Sequence, residues 1–455
     1  MRAMGIDLGT TTVSVIVMDV ESGEIIKSKT IAHKAFIKGH IPTSRVQDAE
    51  KLVGIVQDTV KELSGEYGVP ACIGLTGQMH GMLYVNEEGK SVSPLYIWQD
   101  GCGNELMEDG RSYAEVLKET GGAAATGFGL ISHFYLQKNN MIPEDAVKMV
   151  TISDYVGMRL CERKDPVIAK DMAASWGCFD LENGDFFRDK LAELGVDISY
   201  LPELMSEHTV MGHVVMGEVF KVPVIVSLGD NQASVLGSVQ DLCETLLLTI
   251  GPGSQVSVGT AEYHDCSGSI ELRPCIGETS LIVGSGLCGG RAYAMLEQFY
   301  REITNSEDAL YDVMEKQART FKEIQGLASA WKIKTTFSGT RSNPNERGSI
   351  QEIGVENFHP GAMTLGMIQG MLDELHEMYV QMCEKTGKKA TRLVGSGNGI
   401  RRNPLMQELA EEMFGMKMEI PVCQEEAAYG AALHALAAAG IVENMEEAQK
   451  KIKYC

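Results

Sequence analysis

The chain has 455 residues, 44% of them hydrophobic and 22% charged, which fits a globular protein of two or three domains rather than a fibrous or disordered one. With 40 basic against 62 acidic residues the net charge is -22, which argues against nucleic acid or an anionic membrane as the main partner. An anionic ligand must then be held by local amides or a metal. The 11 cysteines contain no Cys-x-x-Cys pair, which disfavours a zinc site or a disulfide framework.

Residues 4–8 and 13–18 are apolar runs of strand type on either side of Gly9, Thr10, Thr11 and Thr12, and together they predict a β-hairpin. Gly9 allows close approach of a ligand to the backbone, the threonines add hydroxyls, and Asp7 is a carboxylate inside an apolar strand. Such a turn suits a polyphosphate with its Mg2+; a hairpin with a polar tip and a satisfied aspartate fits it equally well. A third strand is expected at 25–32 and an amphipathic helix at 48–67, with Leu52, Val53, Val56, Val60 and Leu63 on one face. The strand expected at 71–76 runs into Gly77-Gln78-Met79-His80-Gly81, the kind of strand end where open α/β sheets bind ligands. A hairpin at 82–95 leads to Trp98, Gln99 and Asp100, where the indole could stack on a sugar ring or simply fill core.

Residues 104–220 read as mainly helical with loops. A strand is expected at 149–153, a small-residue loop at 169–179 and a helix at 185–194 closed by Gly195. The strand at 222–227 ends in Gly229-Asp230-Asn231-Gln232, where Asp230 reads either as an ordinary N-cap or as a catalytic carboxylate. Residues 246–258 then repeat the opening plan of strand, glycine-rich turn (Gly251, Pro252, Gly253, Ser254) and strand. This echo points to two similar halves, each giving a phosphate-binding turn to a cleft between them. Further on, 337–348 is a polar loop, and 359–382 carries methionines at helical spacing that read as core. Gly395-Ser396-Gly397-Asn398 is a glycine turn suited to a nucleoside, Asn403 opens a helix at 403–414, and a small-residue helix from 425 is expected to pack beside that turn. No signal peptide precedes Asp7, and the longest apolar stretch, 433–442, is too short to cross a bilayer, so a cytoplasmic protein is expected.

In this order the motifs resemble the FGGY carbohydrate kinases of the sugar-kinase, heat-shock-protein-70 and actin superfamily, and within it they are most similar to sedoheptulokinase-like members. The resemblance covers nearly the whole chain and implies a two-domain actin-like (ribonuclease H-like) α/β ATPase fold, with the active site in the interdomain cleft and domains at 1–237 and 238–455. It implies a kinase using ATP and Mg2+ on a small-molecule sugar, with homodimerisation left open. By motif position Asp230 is the general base. Gln78, Met79, His80, Trp98, Asp100 and Asn231 would bind the sugar, and Asp7 would hold the Mg2+ shell. Gly9, Thr10, Thr11, Thr12, Gly251, Pro252 and Gly253 would hold the phosphates, and Gly395, Gly397, Asn398 and Asn403 the adenosine. The chain departs from the family pattern at Cys102, where Asp-x-Arg is common after the tryptophan, and at Pro252 and Gly253, where a Thr or Ser is usual. The expected substrate is a ketose, sedoheptulose first, with xylulose or another ketose or polyol as alternative. A non-enzymatic ATP-dependent switch or a sugar sensor is the reading from another class.

Overall fold

The computed structural model describes residues 1–216, 220–266, 268–340, 343 and 345–455; Arg341, Ser342 and Pro344 of the polar loop lie outside the described residues. In chain order the elements that carry the argument are β1 (Arg2–Leu8), β2 (Thr12–Asp19), β3 (Ile25–Ala32), α1 (Ala49–Tyr67), β4 (Ile73–Gly77), α2 (Ile152–Cys161), α3 (Lys170–Ser175), β5 (Val210–Met216), β6 (Phe220–Ile225), β7 (Leu228–Gly229) and α4 (Asp230–Leu236). Then follow β8 (Thr245–Ile250), β9 (Ser254–Thr260), β10 (Ile270–Pro274), β11 (Ser280–Gly286), α5 (Gly289–Thr304), α6 (Pro360–Thr386), β12 (Arg392–Ser396), α7 (Asn398–Arg401), α8 (Pro404–Phe414), β13 (Met418–Glu419) and α9 (Glu426–Ala438).

The residues group into two compact units. The first holds Met1–Gln240, Arg273–Thr279 and Glu425–Ile452, and the second holds Asp241–Leu272, Ser280–Gln424 and Lys453–Cys455. In the first unit the sheet runs β5-β6-β4-β1-β2-β3, with β7 also paired to β4. β1 and β2 are antiparallel and in register from Arg2 opposite Asp19 to Leu8 opposite Val13, while β4 lies parallel on the other side of β1. Their alternating Val, Ile and Leu side chains are buried in one core with Leu52, Val53, Val56 and Val60 of α1 and Tyr155 and Val156 of α2. Asp48 caps α1 by accepting the Lys51 amide, so the amphipathic helix starts where its pattern does.

The second unit repeats this plan. Its sheet runs β10-β11-β9-β8-β12-β13, with β8–β9 and β9–β11 antiparallel and β8–β12 and β12–β13 parallel. The sequence β3-β2-β1-β4-β6 therefore corresponds strand for strand, direction included, to β11-β9-β8-β12-β13. The echo in the sequence is a duplicated topology. Met367, Met371, Leu375, Met378 and Met382 of α6 are buried, as core methionines should be.

Five expectations are corrected. The strand expected at 149–153 is Lys148–Val150, because Thr151 caps α2 and the chain is helical from Ile152. Residues 104–220 carry several strands beside their helices, β5 among them. Residues 169–179 are not a loop: Lys170–Ser175 is helical, because Asp171, Met172 and Ala173 face the interior. The helix at 185–194 is shorter, Arg188–Glu193, after a two-residue strand at Asp185–Phe186. The small-residue helix α9 belongs to the first unit and rides on β1 and β4, where a Cβ on Gly5 or Gly74 would lie 1.8 Å from the Ala428 or Ala431 carbonyl oxygen. Among the described residues no helix is long and apolar enough to cross a membrane, and the 11 cysteines are free thiols.

Candidate active site

In the first unit the strand register gathers three motifs at one edge. Leu8 pairs with Gly77 across β1 and β4, and Gly77 pairs with Gly229 across β4 and β7. The residues that follow, Gly9, Gln78 and Asp230, therefore leave the sheet side by side. Thr76 locks the row by donating its hydroxyl to the Leu228 carbonyl at 2.9 Å.

The turn after β1 is supported from behind. Gln47 Nε2 donates to the Thr10 carbonyl at 2.8 Å, and His33 Nε2 lies 3.3 Å from the Gly9 carbonyl, so two of its acceptors are already engaged. Trp98 Nε1 donates to Thr10 Oγ1 at 2.9 Å, and its ring is 45% exposed, enough to offer an aromatic face to a ligand. Asp7 is half-buried, with Oδ1 shut off from solvent and without a hydrogen-bond partner. Burial, then the nearby Asp230 and Glu425 carboxylates, push its pKa up to about 8. A carboxylate so placed is stabilised by a cation. Among the described residues no group of three or more His, Cys, Asp or Glu side chains forms a chelating cluster. The partnerless Asp7 Oδ1 fits Mg2+, which keeps most of its water shell and takes one or two carboxylates.

Behind the β4 end, Gln78 is buried and donates Nε2 to Gln47 Oε1 at 3.0 Å, which links it through Gln47 to the Thr10 turn. Met79 is buried with its sulfur packed on Gly229, where a Cβ would come within 2.7 Å of Sδ. His80 takes a left-handed backbone, φ 73°, which costs a non-glycine residue about 1–2 kcal/mol. Ser175 holds it there: Oγ accepts the His80 amide at 3.1 Å, and its carbonyl lies 2.6 Å from Nδ1. The Nδ1 proton is thereby fixed, which makes Nε2 of the neutral ring an acceptor. The imidazole stacks on Phe128, with centroids 4.4 Å apart and planes 5° from parallel.

Asp230 is the first residue of α4, after Gly229 at the N-cap. Its pKa is pushed up to about 6 by burial, against the pull of the Asn231 amide and the Arg273 charge, instead of staying near the ordinary carboxylate value. Two buried carboxylates brace the strand that carries it. Asp171 Oδ2 accepts the Gly229 amide at 2.7 Å, and Asp154 Oδ1 accepts the Ser227 amide at 2.9 Å. Asn231 Oδ1 accepts from Arg273 Nη1 at 2.8 Å. Asp100 faces inward: Oδ2 accepts from Ser44 Oγ at 2.8 Å and the Arg45 amide at 2.9 Å, and Oδ1 accepts the Cys102 amide at 3.1 Å. Its carboxylate thus shapes the loop after Trp98.

In the second unit the turn of Gly251, Pro252 and Gly253 closes with the Gly251 amide on the Gly253 carbonyl at 3.0 Å, and Pro252 and Gly253 are exposed. It is stapled to the start of α5, with the Gly290 amide on the Gly251 carbonyl at 3.0 Å and the Arg291 amide on the Pro252 carbonyl at 2.9 Å. Thr249 lies opposite Ser396 across β8 and β12, their hydroxyls 2.9 Å apart. Gly397, at φ 82°, lies where a Cβ would come within 2.6 Å of the Ile250 carbonyl. The Gly251 turn and the pair Gly397–Asn398 therefore emerge together, with Asn398 exposed at the start of α7. Gly395 and Asn403 sit deeper. Gly395 packs on Met418, while Asn403 caps α8 by accepting the Met406 amide at 3.0 Å. Sequence reasoning missed Gln47, Phe128, Asp171 and Arg273. Asp171, next to Lys170 in the chain, and Arg273 carried no local signal.

A duplicated sheet with a glycine turn in each copy, and carboxylates at the strand ends of the first, defines an actin-like two-domain ATPase fold. The ligand-bound xylulose kinase from Lactobacillus acidophilus shares it at TM-score 0.84 and 18% identity, over 100% of this chain and 92% of that one. The chain belongs to the FGGY family of carbohydrate kinases: the family's N-terminal domain matches residues 2–237 and its C-terminal domain residues 275–439. It is thus a sugar kinase. Mus musculus sedoheptulokinase is 28% identical over 94% of this chain and 96% of its own length. Staphylococcus xylosus xylulose kinase is 22% identical over 94% and 89%.

Proposed function

We propose that this carbohydrate kinase transfers the γ-phosphoryl group of ATP to a hydroxyl of a ketose, sedoheptulose first and xylulose or another ketose or polyol second. The observation that carries the reading is the row Leu8, Gly77 and Gly229, which brings a phosphate-type turn, a polar pocket and a carboxylate to one sheet edge. The ranking of sugars is supported by the sedoheptulokinase relative, similar over 94% of the chain. Asp230 accepts the proton of the attacking hydroxyl. With its pKa pushed up to about 6 it is ionised at neutral pH yet basic enough to take that proton. His80, Trp98 and Asn231 orient the sugar, while Met79 and Gln78 shape the wall behind it. The turn of Gly9, Thr10, Thr11 and Thr12 holds phosphate oxygens, as do Gly251 and Gly253, and Gly397 and Asn398 hold the nucleoside. Asp7 would hold Mg2+, which when bound would supply neutralisation of charge on the phosphates. The free thiols support a reducing, cytoplasmic setting.

The test is ADP release measured with a panel of sedoheptulose, xylulose, other ketoses and polyols. Sedoheptulose is expected to give the highest kcat/KM. Asp230→Asn is expected to lose at least about a thousandfold in kcat while still binding ATP. Stimulation by no sugar would sink the kinase reading in favour of an ATP-dependent switch. Near-normal turnover of the Asn variant would sink Asp230 as the base.

A further inference from the structure

Arg273 lies outside every motif that drew attention in the sequence. It opens a short segment, Arg273–Thr279, that packs with the first unit although the stretches on both sides of it in the chain belong to the second. Side-chain bonds to the first unit hold the segment. Gln232 Nε2 donates to the Pro274 carbonyl at 2.9 Å, Glu207 Oε1 accepts the Gly277 amide at 2.5 Å, and Arg273 Nη1 donates to Asn231 Oδ1 at 2.8 Å. The last bond has a directional consequence. A guanidinium carries donors only, so it can meet the Asn231 side chain only at its oxygen. The amide nitrogen, with two N–H groups, is then what Asn231 presents elsewhere. Its neighbour Asp230, once ionised, presents acceptors alone.

We infer that Arg273 is a positioning residue that locks Asn231 as a hydrogen-bond donor beside Asp230, so that the site reads two neighbouring oxygens on its substrate. Asp230 accepts the hydroxyl to be phosphorylated, and Asn231 Nδ2 donates to the oxygen on the adjacent carbon. A substrate analogue without the second oxygen would leave the Asn231 donor unpaired in a half-buried site. The inference rests on the kinase reading above and deepens it. It also supplies a guanidinium near the base in a chain that has Cys102 where the family pattern commonly has arginine.

The experiment compares kcat/KM for the best ketose of the panel with that for its deoxy analogue lacking the oxygen next to the phosphorylated carbon. Wild type is expected to disfavour the analogue by roughly ten- to a hundredfold. Arg273→Met frees the amide to rotate and should bring that ratio close to one, through a higher KM for the parent sugar and an unchanged KM for ATP. Arg273→Lys, which keeps a donor at the same place, should retain part of the preference and guards against a failure of the Met variant to fold. Asn231→Ala should lose the same preference, and the double variant should lose no more than either single one, since both act through one bond. A folded Arg273→Met that keeps the wild-type ratio, or losses that add in the double variant, overturns the role of Arg273 and leaves the kinase reading standing. A wild type that phosphorylates no sugar overturns both.

Discussion

Asp7 shows what a shielded carboxylate costs the fold. Its pKa, about 8 in the folded chain against an ordinary 3.8, means that folding disfavours the ionised form. The group is protonated in both states below about pH 4. From there upward the unfolded chain ionises first, so stability is lost progressively until the folded pKa is passed near 8. Asparagine escapes this penalty. Asp7→Asn is therefore expected to raise the melting temperature of the nucleotide- and Mg2+-free protein at about pH 8.5 by a few degrees, and by less at about pH 5, while abolishing Mg2+-dependent sugar phosphorylation. Melting curves at the two pH values check it, and an equal shift at both would remove the electrostatic account. Asp7 was legible in the sequence because a carboxylate among apolar strand residues is a local anomaly, and Asp230 because it opens a run of polar residues, Asp230-Asn231-Gln232, directly after a strand. Asp171 and Arg273 act on positions 58 and 42 residues away, on Gly229 and Asn231, and only the topology brings them there. The same holds for Asp100, whose motif was readable but whose inward-facing carboxylate was not.

At the scale of elements, the helix that presents Asp230 is held by backbone contact. α4 and α9 meet through glycines: a Cβ on Gly430 would lie 1.9 Å from the Ala233 carbonyl, and one on Gly237 would lie 2.1 Å from the Glu426 carbonyl. A methyl group there forces one helix away from the other, and overpacking of this kind costs about 1–3 kcal/mol or more. Gly430→Ala is thus expected to destabilise by at least about 2 kcal/mol in chemical denaturation and to lower kcat, because α4 moves with its first residue. Gly65→Ala in α1 is the control, since a Cβ there meets nothing within 4 Å. It should stabilise by about 0.5–1 kcal/mol through helix propensity. Equal effects at the two sites would refute the contact. Strongly periodic elements such as α1, α6 and the β1–β2 hairpin were readable because the pattern of burial is written in the local sequence. α3 was not: its six residues are too few to show a period, and buried Asp171 breaks the apolar pattern that does exist.

For the whole molecule, the two strand–turn–strand stretches near residues 10 and 250 announced a duplication, and strand order and direction repeat it. What no motif announced is that Arg273–Thr279 and Glu425–Ile452 return to the first unit, because such returns depend on packing rather than on any local pattern. Net charge acts on this scale too. At -22 the protein repels an anionic substrate over distances set by the Debye length, which falls from roughly 30 Å at about 0.01 M salt to about 8 Å at 0.15 M. ATP with its Mg2+ remains an anion, whereas a ketose is neutral. Raising ionic strength over that range should therefore increase kcat/KM for ATP several-fold and leave kcat/KM for the sugar nearly unchanged. Steady-state kinetics with one substrate saturating and the other varied separates the two. A fall in kcat/KM for ATP with salt would mean that local cations at the phosphate turns dominate the approach of the nucleotide. The amides and hydroxyls offered by the turn at Thr10, Thr11 and Thr12 are short-range donors, which would hold an anion once it arrives but cannot reverse a field of this size at a distance.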